Sequence, residues 1–240
     1  NTTASSNIAI GLCSLRLNTT GAGNTSLGTN SLRCNTTAAD NVAIGRSSLR
    51  DTTTGAYNVA VGTSALQANT TGEQNTAIGR VALQSNIAGI CNTAVGHNAL
   101  NSNLCCFNTA VGNEALRLNT TGQYNTAVGN SALICNTTGE SNTAVGYKAL
   151  APNTTAGQNT AVGFGSLCLN TTGCRNTSMG YNSLAVNTTG ICNVSIGRST
   201  LDANTTGDFN TAVGNSALSG NTTADNNTAV GHLSLNANTT

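Results

Sequence analysis

Hydrophobic and polar residues recur along this chain with a period of seventeen, seen most regularly in the stretch Asn69 to Ser85, NTTGEQNTAIGRVALQS. Units open at residues 1, 18, 35, 52, 69, 86, 103, 119, 136, 153, 170, 187, 204 and 221, and only the unit at Asn103 is one residue short. Counted from the first Asn, three positions are the same in every full unit: Asn at seven, Gly at eleven and Leu at fifteen. Position ten is always aliphatic, position nine is Ala or Ser, and position fourteen is Ala, Ser or, once, Thr. With Thr, Val or Ile at eight, the run Thr-Ala-Val-Gly is short and rich in β-branched residues, which favours an extended strand over a helix. A fixed period in this range marks a solenoid or fibre in which each unit stacks on the last and none folds alone.

Neighbouring residues of a strand face opposite sides, so a strict aliphatic beside a strict small residue constrains both faces. One face is expected to fill the coil, with Leu15, Leu83, Leu133 and Leu218 joined by Ile78, Val128 and Val213. The other, carrying Ala or Ser at nine, is expected to meet a surface too close for anything larger, the natural candidate being another copy of the chain. Gly11, Gly79, Gly129 and Gly214, with Asn7, Asn75, Asn125 and Asn210, suit corners of positive φ, which Gly takes freely and Asn tolerates. Stacking would also set the Asn side chains above one another, able to bond along the column. The residue missing from the unit at Asn103 falls in the turn before the strand, which marks that turn as a loop.

Composition makes the core thin: aromatics are 3% and Trp is absent. One coil buries a Leu, a Val and two small residues, worth on the order of 5–8 kcal/mol at about 1.5–3 per large side chain. Ordering the backbone costs about 1–2 kcal/mol per residue, so stacked hydrogen bonds and partner chains must supply the remainder. The expected state is therefore an oligomer, most simply a trimer. A net charge of +1 with scattered charges leaves no basic stripe for nucleic acid, and no apolar run is long enough to span a membrane. The array has no linker or shift in composition and reads as one repeat array over 1–240. It starts and stops on a repeat without a polar cap, so the expectation is a segment of a longer fibre, or copies joined end to end.

Several motifs suggest chemistry. The opening NTT is an N-glycosylation acceptor at Asn1, Asn18, Asn35, Asn69, Asn119, Asn136, Asn153, Asn170, Asn187, Asn204, Asn221 and Asn238, with further acceptors at Asn24, Asn176, Asn193 and Asn226. Either these Asn residues carry glycans on an exposed ridge, or they are stacking turn formers and the motif is a by-product. Nine cysteines suit an oxidising, extracellular setting and follow no metal-site spacing. Cys91 with Cys106, and Cys174 with Cys192, fall at nearly equal positions of consecutive coils and are candidate disulfides, the alternative being inert thiols. Tyr147, Phe164 and Tyr181 share position twelve of three consecutive coils, forming an aromatic strip that could stack on sugar rings or simply brace the coils. Thr-rich regular strands also raise ice binding. No cofactor, metal site or catalytic constellation is expected: His97 and His232 lie far apart, and glycines fall singly at turns.

The units NTAVGNSAL, NTAVGYKAL and NTAVGHNAL, joined by NTTG, resemble the head repeats of trimeric autotransporter adhesins and the NTAVG-type arrays of phage tail-fibre-like surface proteins, over the whole chain. The resemblance implies an all-β, left-handed parallel β-roll of three chains about one axis. Positions ten and fifteen would fill the roll, and Ala at nine would approach the axis. The implied role is an extracellular structural fibre, the shaft or head of an adhesin, tail fibre or surface filament, on a cell or virion surface. Its partners would be its own copies and a host glycan or receptor, with no enzymatic activity; a glycan-binding or ice-binding solenoid is the alternative.

Overall fold

A computed structural model describes residues 3–239. Among them the chain is all β, a parallel β-solenoid with fourteen strands of three residues each and no helix. Two compact units make it up, one up to Thr121 and one from Gly122. The first carries β1 (Ile8–Ile10) through β7 (Thr109–Val111), the second β8 (Thr126–Val128) through β14 (Thr228–Val230). Within each unit, strands of consecutive coils pair in parallel with like positions opposite: Thr143 faces Thr160, Ala144 faces Ala161 and Val145 faces Val162. The short coil keeps this register, Thr93 opposite Thr109. Its missing residue is absorbed between Asn103 and Cys105, because the Phe107 amide already bonds the Ile90 carbonyl, as the Gln74 amide bonds that of Ala56 in a regular coil.

Each coil turns on residues of positive φ at positions six, eleven, thirteen and fifteen, as in Gln74 (58°), Gly79 (133°), Val81 (55°) and Leu83 (49°). At eleven the requirement is double. Gly28 has φ 137°, and a Cβ there would stand 2.6 Å from the carbonyl oxygen of Gly45, the equivalent glycine of the next coil. Only Gly meets both conditions. At fifteen a bulky Leu is held in the left-handed region, at a cost of about 1–2 kcal/mol, which the burial of its side chain offsets.

The expected positive φ at the Asn of position seven is corrected: the bend falls one residue earlier, as at Tyr57, Tyr124 and Phe209. What needs Asn is its side chain. The Asn75 main-chain N–H donates to Asn58 Oδ1 at 3.0 Å, its Nδ2 donates to the same oxygen at 3.1 Å, and Nδ2 also reaches the Gly89 carbonyl at 2.8 Å. Asn7, Asn125 and Asn210 take the same role, donating Nδ2 to the carbonyls of Gly21, Gly139 and Ala224. A second column runs through the Asn of position one. Both columns converge on the carbonyl at position four: that of Gly72 accepts Asn69 Nδ2 at 3.0 Å and Asn58 Nδ2 at 2.9 Å. Two amide columns thus run inside the coil, their polar atoms answered by neighbouring coils except at Asn35 Oδ1, Thr52 Oγ1 and Asn221 Oδ1, as the burial of polar groups requires.

The apolar half is the leucine column, including Leu83, Leu133 and Leu218, lined by the small residues of positions nine and fourteen. Here the second expectation is corrected. Ala77, Ala127 and Ala212 are buried, while Ile78 is 40% exposed and Val128 and Val213 are only half-buried. The reason is clearance. The strand lies so close to the wall at fourteen that the hydroxyls of Ser26 and Ser31 meet at 2.6 Å, Ser178 donates to the Ser183 carbonyl at 2.7 Å, and Ser195 to that of Thr200 at 2.8 Å. A Val pointing inward has no room, so positions eight and ten face out.

Candidate functional site

The outward face of the strands is the surface this architecture repeats most exactly. It consists of two rows, β-branched residues at eight and aliphatic residues at ten, with no charged side chain in either. In the second unit the row at eight runs Thr126, Thr143, Thr160 and Thr177 before Val194 interrupts it. Beside it stand Val128, Val145, Val162 and the exposed Met179 and Ile196. In the first unit Leu27, Ile78 and Val111 are exposed in the same way. Sequence reasoning placed this row inside. The signal that could have reversed it is the pairing of positions nine and fourteen: each Ser at nine (Ser26, Ser178, Ser195) has a hydroxyl at fourteen of its own coil (Ser31, Ser183, Thr200), as residues in contact would.

The glycosylation expectation at position one is corrected. Asn18, Asn35, Asn69, Asn119, Asn136, Asn153, Asn170, Asn187, Asn204 and Asn221 are all at most 1% exposed. Nδ2, the atom a glycan would occupy, is a donor inside the coil: that of Asn153 serves Asn136 Oδ1 and the Ala156 carbonyl, both at 2.9 Å. A glycan there cannot coexist with a closed coil. Asn24, Asn176 and Asn193 are buried in the other column, Asn226 is exposed and Asn238 is half-buried. Asn1 lies outside the described residues.

The disulfide expectation is corrected as well, since all nine cysteines are free thiols. The short coil moves Cys106 to position five, so Cys91, at six, lies in register with Phe107; the Ile90 amide donates to Cys106 Sγ at 3.3 Å and Cys91 Sγ donates to Gln74 Oε1 at 3.2 Å. Cys174 and Cys192 are likewise one position out of step: the Cys192 amide bonds the Cys174 carbonyl, the six-to-five contact. Burial raises the Cys168 thiol above its ordinary value, leaving it a poor nucleophile.

Tyr147, Phe164 and Tyr181 do come together. Their rings stack face to face, with centroids 5.1 and 5.4 Å apart. Both faces of Phe164 are thereby covered, and the Lys148 ammonium lies 5.3 Å from the Tyr147 centroid. The stacking realises the brace between coils, worth about 0.5–1.5 kcal/mol per pair, and leaves no face of Phe164 for a sugar ring. No group of three or more His, Cys, Asp or Glu able to hold a metal occurs among the described residues. No protein-family model matches the chain, and neither a curated protein nor a solved structure matches it significantly.

Proposed function

We propose that the chain is a structural segment of an extracellular surface fibre, the shaft or head of an adhesin, tail fibre or filament, that associates with copies of itself through the outward rows at eight and ten. The observation that carries this reading is the exposed aliphatic row. Contiguous apolar surface of this regularity is uncommon on monomers and marks an interaction site, and a ladder of identical coils offers the same contact at every level of a partner chain. The likeness to NTAVG-type arrays supports three copies about one axis, now with Val and Thr rather than Ala turned toward the partners.

The test is sedimentation equilibrium on the native protein and on Val128→Asp, Val145→Asp and Val162→Asp combined. The reading expects a multiple of the chain mass that falls to one chain in the variant, with the circular dichroism of the coil retained. A wild-type protein of single-chain mass refutes it. A second reading, ice binding, is favoured by the uncharged outward Thr row; thermal hysteresis that disappears in Thr143→Lys would support it, and its absence in the wild type ends it.

A further inference from the structure

The walls of the coils hold one feature that the fibre reading does not use. In the second unit a surface groove of about 740 Å³ runs across positions thirteen, sixteen and seventeen of successive coils. Its lining mixes polar with small apolar residues: Ser199, Asp202, Ser216, Ser219 and Asn236, with Val186, Ala203 and Gly220 between them. Other coils fill the same corner, with the Arg50–Asp51 ion pair at 2.8 Å in one and with Leu118 and Leu169 in others. In a ladder of near-identical coils, small residues at positions sixteen and seventeen of consecutive levels leave a shallow, open hollow here, against whose wall a small molecule can lie.

Asp202 gives that concavity its character. It is half-buried, and desolvation raises its carboxyl above the ordinary value of 3.8. The ion pairs among the described residues are Arg50–Asp51 and Arg117–Glu114, so no cation is paired with it. A partly desolvated carboxylate without a cation is a cost to the fold; its own main-chain N–H offsets part of that cost, and the carboxylate keeps further acceptor capacity on the groove wall. Its charge disfavours anions. A single carboxylate, with no second acid nearby, makes a poor cation cage. The Ser216 hydroxyl donates to Asn215 Oδ1 at 2.9 Å and keeps its acceptor side, while the hydroxyls of Ser199 and Ser219 and the amide of Asn236 each offer a donor and an acceptor. That inventory matches a neutral molecule carrying many hydroxyls.

We propose that this groove binds a neutral saccharide, with Asp202 accepting hydrogen bonds from a pair of sugar hydroxyls and the serines and Asn236 completing the set. The site is separate from the aromatic strip and independent of the fibre reading, so either can fail alone. Saturation-transfer NMR on the native protein, with glucose, galactose, mannose and N-acetylglucosamine as separate probes, tests it. Transfer to at least one sugar is expected. It should fall to background in Asp202→Ala and in Ala203→Leu, which fills the groove with the residue other coils carry at this position, and it should persist in Tyr181→Ala. Matching circular dichroism keeps the variants comparable. No transfer to any of the four sugars, transfer that survives either groove variant, or perturbation of Ser216 by calcium chloride with no response to sugar would each overturn the proposal.

Discussion

The amide column at position one has a single internal gap, and closing it tests the ladder quantitatively. Thr52 stands where other coils have Asn. Its Oγ1 and the Oδ1 of Asn35 are buried polar atoms without a hydrogen-bond partner, and both residues are 0% exposed. In an intact step the next Asn fills this place, as Asn86 Nδ2 does for Asn69 Oδ1 at 3.2 Å and Asn187 Nδ2 for Asn170 Oδ1 at 2.9 Å. Thr52→Asn should therefore answer Asn35 Oδ1, give the Gly55 carbonyl a second donor beside Asn41 Nδ2 at 3.0 Å, and offer an acceptor to Asn69. Relieving an orphaned buried acceptor is worth about 1–3 kcal/mol and each new bond about 0.5–1.5 net. Losing the Thr methyl takes back about 0.8 kcal/mol. A gain of about 2 kcal/mol follows, read as an upward shift of about 4–8 °C in a chain of this size. Because stability in a stacked array is partly local, the thermal melt is paired with hydrogen exchange of the Thr53 and Leu66 amides, which should slow. The mirror experiment, Asn153→Thr, opens the same gap in an intact column and should cost at least as much. A neutral or destabilising Thr52→Asn together with a harmless Asn153→Thr would refute the reasoning.

Three further outcomes are expected. Val81 is a β-branched residue at φ 55°, a conformation such side chains resist; Val81→Asn should stabilise by about 1 kcal/mol in a urea melt, and a loss of stability would mean that its packing outweighs the strain. Protein recovered folded from a glycosylating secretory host should carry no N-glycan at the buried position-one Asn residues, so peptide mapping after glycosidase should find no Asn-to-Asp conversion at Asn136, Asn153 or Asn170; conversion there in folded material would contradict the buried column. Burial raises the Asp202 carboxyl, so the folded chain binds that proton more readily than the unfolded one and loses stability as pH rises from the ordinary value of 3.8 through the raised one. Asp202→Asn should accordingly be the more stable chain at neutral pH, with the difference closing below the ordinary value; a pH-independent difference would count against desolvation as its cause.

The period and the strands were legible because each rests on a local rule: a β-branched run bounded by Gly at eleven, and an aliphatic position recurring every coil. The facing of the strand was not, because the usual inference that the larger apolar residue points inward presumes an apolar interior. Here Asn58, Asn69 and their equivalents are buried in it, and the space beside Ala77 admits only small groups. The acceptor motif misled for a related reason: N-x-T describes a sequence an enzyme reads in an open chain, and says nothing of whether Nδ2 will be consumed by the next coil, as at Asn153. Bridges between cysteines looked feasible from coil spacing, but a ladder aligns like positions, and the short coil brings Phe107, not Cys106, into register with Cys91. Legibility was lowest at the groove around Asp202, since Ser199, Gly220 and Asn236 come from three coils and none is unusual by itself.

The central claim is that two columns of Asn side chains, inside the coil, hold one turn to the next. Exposed Asn side-chain amides exchange quickly with solvent, so two-dimensional nitrogen–proton NMR of the native protein after transfer to deuterated water reads the claim directly. Nδ2 protons of Asn58, Asn75, Asn142, Asn153 and Asn187 should persist as long as the slowest main-chain amides of the strands. Their disappearance at the rate of exposed Asn226 would show that the columns do not exist.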